Sequence, residues 1–166
     1  MNKYFIRYLA LLPMYVILQV MVLNEILFSE YINPFLYLVL IISLPLKTPK
    51  WFLLIYAFIL GLSIDIFSGI LGFHSTASIL IAFLKSSISK ITIPYNILSE
   101  NDEITLTKVG NKAFVTFSLF LILIHNSCLF IIQHLEFNFL ILGKIISSSL
   151  VTLVIILISQ LFNNDK

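Results

Sequence analysis

The chain has 166 residues, of which 60% are hydrophobic and 11% charged, and its mean hydropathy is +1.06. A soluble domain carries about 25% charged residues, so this composition excludes a soluble core wrapped in polar surface and predicts one integral membrane domain over 1–166. The formal net charge of +2 is too small to argue for nucleic acid as a partner, and the single cysteine, Cys128, rules out an intramolecular disulfide.

A helix needs about 20 largely apolar residues to cross a bilayer, and six segments are candidates. The first runs from Tyr4 to Leu23, with Pro13 as a kink. Lys3 and Arg7 ahead of an apolar run resemble a signal peptide, but no small-x-small cleavage site follows, so an uncleaved helix is expected. The second runs from Ile32 to Leu46 and contains Pro34 and Pro45. The third runs from Trp51 to Ile70, and the fourth, the least hydrophobic, from Phe73 to Ile88. A polar stretch from Ser89 to Gly110 follows, with Pro94, an acidic cluster of Glu100, Asp102 and Glu103, and a Gly110-Asn111 turn. It reads as a solvated connector able to meet a soluble partner. The fifth span runs from Ala113 to Gln133 and the sixth from Phe139 to Phe162. The second and fourth also admit re-entrant or tilted arrangements, which would leave five or four crossings.

Basic residues collect on the cytoplasmic side of short loops. With six spans, Lys3, Arg7, Lys47, Lys50, Lys85, Lys90, Lys108, Lys112 and Lys166 fall at one side, and Glu25, Glu30 and Glu136 at the other. Both termini are then expected in the cytoplasm. Lys144 is the one basic residue that breaks the pattern.

Lipid gives helices no hydrophobic reason to associate, so small residues mark their contact faces. Ser75, Ser78, Ala82, Ser86 and Ser89 form one such stripe in the fourth span. Gly61 with Gly69, and Gly143 with Ser147, form others, and Ser148 with Thr152 adds a further pair. Each is expected to pack inside the bundle or to dock another membrane protein.

An acid inside an apolar helix costs about 2.5–3.5 kcal/mol on insertion scales, so Asp65 needs a partner. At 1.5 Å per residue, Asp65 lies about 21 Å above Trp51, His125 about 18 Å above Ala113, and Lys144 about 8 Å below the outer edge. The three reach a similar depth. The expectation is that Asp65 pairs with Lys144 or His125, with Asn126 and His74 completing the hydrogen bonding. Snorkelling to the interface is the alternative for Lys144. The sequence has no His/Cys set with metal-ligand spacing, no Gly-rich phosphate loop and no HExxH, so no cofactor, metal or enzymatic activity is expected.

The segment Gly61-x3-Asp65-x3-Gly69-x2-Gly72, in a short chain of six expected spans, resembles MreD, the bacterial rod shape-determining membrane protein. His125-Asn126-Ser127-Cys128-Leu129-Phe130, followed by Glu136-Phe137, resembles the fifth helix of short MreD proteins from the Bacteroidetes, with Asn126 where a second histidine often stands. The resemblance covers nearly the whole chain. It implies an all-α polytopic helix bundle similar in fold to the S-components of energy-coupling-factor transporters. It also implies a non-enzymatic inner-membrane scaffold of the cell-wall elongation complex, which docks the bitopic MreC and works with MreB, RodA and a class B penicillin-binding protein. The rival expectation is an S-component-like carrier with Asp65, His125 and Lys144 lining an outward pocket. Such a pocket would need clustered aromatic residues, and the phenylalanines are spread along the sequence.

Overall fold

The computed structural model describes residues 3–24, 32–95, 97, 102–135 and 138–162. Among these residues the chain is helical and without strands. The elements are α1 (Lys3–Leu18), which continues into a π-helical turn (Gln19–Leu23), α2 (Leu38–Ser43), α3 (Lys50–Ser68), α4 (Phe73–Thr92), α5 (Leu106–Val109), α6 (Asn111–His134) and α7 (Phe139–Leu161). Four stretches are long and apolar enough to cross a membrane: Phe5–Leu23, Lys50–Ser68, Asn111–His134 and Phe139–Leu161. The 20-residue α4 has the length of a crossing but carries polar residues along its buried face.

Local chemistry sets the helix ends. Pro49 supplies the carbonyl that accepts the first α3 bond, from Leu53 N–H at 3.0 Å. At the other end Gly69 adopts φ +70°, and the Gly69 and Ile70 amides donate back to the Ile66 and Asp65 carbonyls at 3.3 and 3.0 Å. This Schellman closure satisfies carbonyls that the helix end would otherwise leave open. Asn138 caps α7 by accepting from the Ile141 amide at 2.9 Å.

The helices pack in the order α1, α3, α4, α6, α7, around α2, whose six residues are all buried. The crossing of α3 and α4 is the closest approach. A Cβ on Gly61 would sit 2.5 Å from Ser75 Cα and 2.7 Å from the His74 carbonyl oxygen, so only glycine fits there. Ser75, Ser78, Ala82 and Ser89 are buried on the inner face of α4, where the expected small-residue stripe meets its neighbours. The outer faces are apolar instead. Leu142, Ile146, Leu150, Val154 and Ile158 make an exposed row along α7, the pattern of a lipid-facing stripe.

Three expectations need correction. The second span, expected from Ile32 to Leu46, does not form a helix of that length. Pro34 has no N–H to give, and residues 32–35 have no regular secondary structure, with helix only from Leu38 to Ser43. Distant side chains satisfy the non-helical backbone. Asn33 N–H donates to Ser148 Oγ (3.0 Å) and Phe35 N–H to Thr152 Oγ1 (3.0 Å). Gln19 Nε2 donates to the Pro34 carbonyl (2.8 Å), and Gln19 Oε1 accepts from Leu36 N–H (2.9 Å). Irregular backbone inside a bilayer is tolerable only when it is buried in protein and satisfied in this way.

The second correction concerns glycines. Gly69 and Gly72 have φ of +70° and +100° and nothing within 4 Å of an added Cβ. They are turn residues, not helix-packing residues. Gly143 is exposed with nothing within 4 Å, so among the described residues it contacts no other helix. The third correction concerns the connector. Glu103 is only 4% exposed and accepts two bonds from Arg7 Nη1, at 3.1 and 3.2 Å. Ile104 N–H donates to the Ser43 carbonyl at 3.0 Å. This part of the stretch is folded into the Lys50 end of the bundle and is not solvated. Glu100 lies outside the described residues.

Candidate functional site

Asp65 occupies the last turn of α3 and is fully buried. The Gly69–Gly72 turn reverses the chain and aims the start of α4 at its carboxylate. Oδ1 accepts from His74 N–H at 2.8 Å, and Oδ2 accepts from Gly72 N–H at 3.1 Å and Ser75 N–H at 3.0 Å. The first amides of a helix have no intrahelical partner, and the positive end of the helix dipole favours an anion. Asp65 is therefore a cap supplied to α4 from the preceding helix. Both of its oxygens are satisfied by amides.

The expected pairings of Asp65 are absent. Among the described residues the ion pairs are Arg7 with Glu103 and Lys108 with Asp102. Lys144 Nζ lies 5.1 Å from the Phe130 ring centroid, a cation–π distance. A similar expected depth does not bring these groups into contact. His125 is linked to Asp65 only indirectly, through Tyr37 and His74.

That link is a continuous chain of buried polar groups. Tyr37 Oη lies 3.0 Å from His74 Nδ1 and 2.8 Å from His125 Nε2. His125 Nδ1 lies 3.0 Å from Asn126 Oδ1, and Asn126 Nδ2 donates to Ser149 Oγ at 2.9 Å. With the Asn126 side chain oriented Oδ1 towards His125 and Nδ2 towards Ser149, the proton positions are assigned as follows. Asn126 Oδ1 only accepts, so His125 Nδ1 carries the hydrogen and Nε2 accepts from Tyr37. Tyr37 has one hydroxyl hydrogen, so its oxygen accepts from His74 Nδ1–H. All the bonds then point one way, from α4 through Tyr37 to α6 and α7, an arrangement in which each bond polarises the next. His74 Nε2 is left as a bare acceptor.

His74 is 9% exposed and lines a cavity of about 160 Å³ at the Gly69 end of the bundle. Phe35, Phe73 and Phe130, from three different elements, form apolar walls. Asn24, Asn33, Ser68 and Gln133 supply polar groups. Phenylalanines that are spread along the sequence thus converge in space. Asp65 and His125 do not line this cavity. Its polar floor is His74, which the sequence offered only as an accessory to Asp65.

The Lys50 end of the bundle holds a second buried ionisable side chain. Lys85 was expected near a span end but lies within α4 and is 1% exposed. Its ammonium donates to the Ile41 carbonyl at 2.8 Å and to the Leu44 carbonyl. It thereby caps the C-terminal end of α2, where helix carbonyls lack partners and the dipole favours a cation. Sequence reasoning missed Gln19, Tyr37 and Ser149. The only available signal was that each is a polar residue in an apolar segment.

Comparison with protein-family models, with curated proteins and with solved structures finds no match.

Proposed function

We propose that this chain is a MreD-like scaffold of the bacterial cell-wall elongation complex, set in the inner membrane with both termini in the cytoplasm. One observation carries the reading. The four residues of the Gly61/Asp65/Gly69/Gly72 signature all serve the junction of α3 and α4: Gly61 admits the start of α4, Asp65 caps it, and Gly69 and Gly72 turn the chain. A spacing arising by chance in apolar helices has no reason to assemble one unit. The reading takes six crossings, the second being the broken segment. The six helical residues Leu38–Ser43 give about 9 Å, and the six non-helical residues before them give up to about 20 Å when extended, against a hydrocarbon thickness of about 30 Å. The bundle would then be of the S-component kind.

Docking of a bitopic partner such as MreC is assigned to α7 around Gly143. The stripes of α3 and α4 are occupied within the fold, whereas a backbone bare of a side chain at Gly143 admits close approach by another helix. MreB, RodA and a class B penicillin-binding protein would be reached through that complex. The test is a pull-down of the tagged protein from its native membrane in mild detergent, with mass spectrometry of what co-purifies. Recovery of MreC or other elongation proteins supports the scaffold. Recovery of a transporter energising module, with no elongation protein, refutes it.

A second reading, a small-molecule-binding subunit of a membrane transporter, is favoured by the aromatic cavity above His74. Co-purification of that energising module, or of a small molecule, would support it.

A further inference from the structure

The Gly69-end cavity has the features of a built binding site. Its floor is a histidine whose Nδ1 is committed to Tyr37 and whose Nε2 has no hydrogen-bond partner among the described residues. A ligand that donates to Nε2 gains a hydrogen bond that the empty site does not make. Phe35 and Phe73 offer aromatic rings to the lining. The volume, about 160 Å³, is close to the roughly 150 Å³ cavity that admits benzene, so it holds a single ring.

Charge is disfavoured. No charged side chain lines the cavity among the described residues. The nearby Asp65 carboxylate is already engaged by three amides, and an ion buried without a counter-charge loses several kcal/mol of hydration. We propose that this cavity binds an uncharged single-ring molecule that donates a hydrogen bond to His74 Nε2. The proposal deepens the second reading above and does not need the transporter: binding is read on the isolated full chain, so the absence of an energising module and the absence of binding are separate results.

The probe is pyrazole, a small neutral ring with one N–H donor, compared with 1-methylpyrazole, which has none. The full chain, labelled with ¹⁵N-histidine, is placed in lipid nanodiscs. The three histidines are assigned with His134→Asn and His74→Gln. Two results are expected. Pyrazole moves the unprotonated Nε2 resonance of His74 saturably, with at least about tenfold higher affinity than 1-methylpyrazole, the factor that about 1.4 kcal/mol supplies. Gln133→Trp, a change at an exposed position on the cavity lining, fills the entrance and abolishes the response with the His74–Tyr37 bond still in place. The proposal is overturned by no saturable movement at His74, by equal responses to the two probes, or by a response that survives Gln133→Trp.

Discussion

Replacing Asp65 with asparagine separates a cap from an ion pair. The carboxylate accepts three amide bonds through two oxygens. The side-chain amide has one oxygen and a hydrogen-bearing nitrogen. If its oxygen takes the Gly72 and Ser75 amides, its NH₂ faces the His74 amide, donor against donor. A buried unsatisfied donor costs about 1–3 kcal/mol, and the two surviving bonds fall from the charged range, about 1.5–3 kcal/mol, towards about 1 kcal/mol. The sum is about 2–7 kcal/mol. For a chain of this size about 1 kcal/mol moves Tm by about 2–4 °C, so a loss of about 4–28 °C is expected in a thermal melt of the purified protein in detergent. Asp65→Ala, which orphans all three amides, should lose at least as much. Lys144→Ala should leave the Asp65→Asn penalty unchanged within about 0.5 kcal/mol, as for sites that share no partner. The swap Asp65→Lys with Lys144→Asp should rescue nothing. A melt of Asp65→Asn within about 1 kcal/mol of the parent, or a rescue by the swap, would refute the cap.

Gly61→Ala pushes a Cβ into the Ser75 and His74 backbone and should cost at least the 1–3 kcal/mol typical of overpacking, whereas Gly143→Ala, with open space around it, should stabilise by about 0.4–1 kcal/mol; paired melts check the contrast. Gly143→Leu should leave the melt near that of the parent and sharply reduce recovery of the bitopic partner in the pull-down, and undiminished recovery would remove α7 as the docking face. Tyr37→Phe keeps the ring but leaves both histidine nitrogens unmatched, so about 2–4 kcal/mol should be lost, read as a drop in Tm. Ser118→Ala should stabilise by about 1–3 kcal/mol, because it removes a buried hydroxyl that has no hydrogen-bond partner among the described residues.

Apolar length is a local property, and it located α3, α6 and α7 to within a few residues. It failed at Ile32–Leu46, where hydropathy cannot distinguish a helix from an irregular segment whose amides are satisfied elsewhere. The groups that satisfy them, Gln19, Ser148 and Thr152, lie 15 to 117 positions away, and no spacing rule connects them. Depth estimates failed for a related reason. They placed Asp65, His125 and Lys144 at one level, but a bundle has a perimeter, and two groups at one level can face different neighbours. Glu103 shows the same limit, since its partner Arg7 is 96 positions away.

The cap on α4 was closer to legibility than the search for a charged partner implied. Asp65 precedes Gly72 by seven residues, and Gly69 and Gly72 are the residues that allow a helix to stop, reverse and restart. An acid one turn before such a reversal is aimed at the amides of the next helix, so its natural partner is backbone. Lys85 follows the same logic with the sign reversed, since its ammonium meets the carbonyl end of α2. In both places the bundle interior tolerates a buried polar side chain because a helix terminus supplies hydrogen-bond partners at fixed geometry. An ion pair between two flexible side chains would have to be positioned by packing. A terminus is positioned by the fold itself, so each side chain stabilises the break in helical structure that accommodates it.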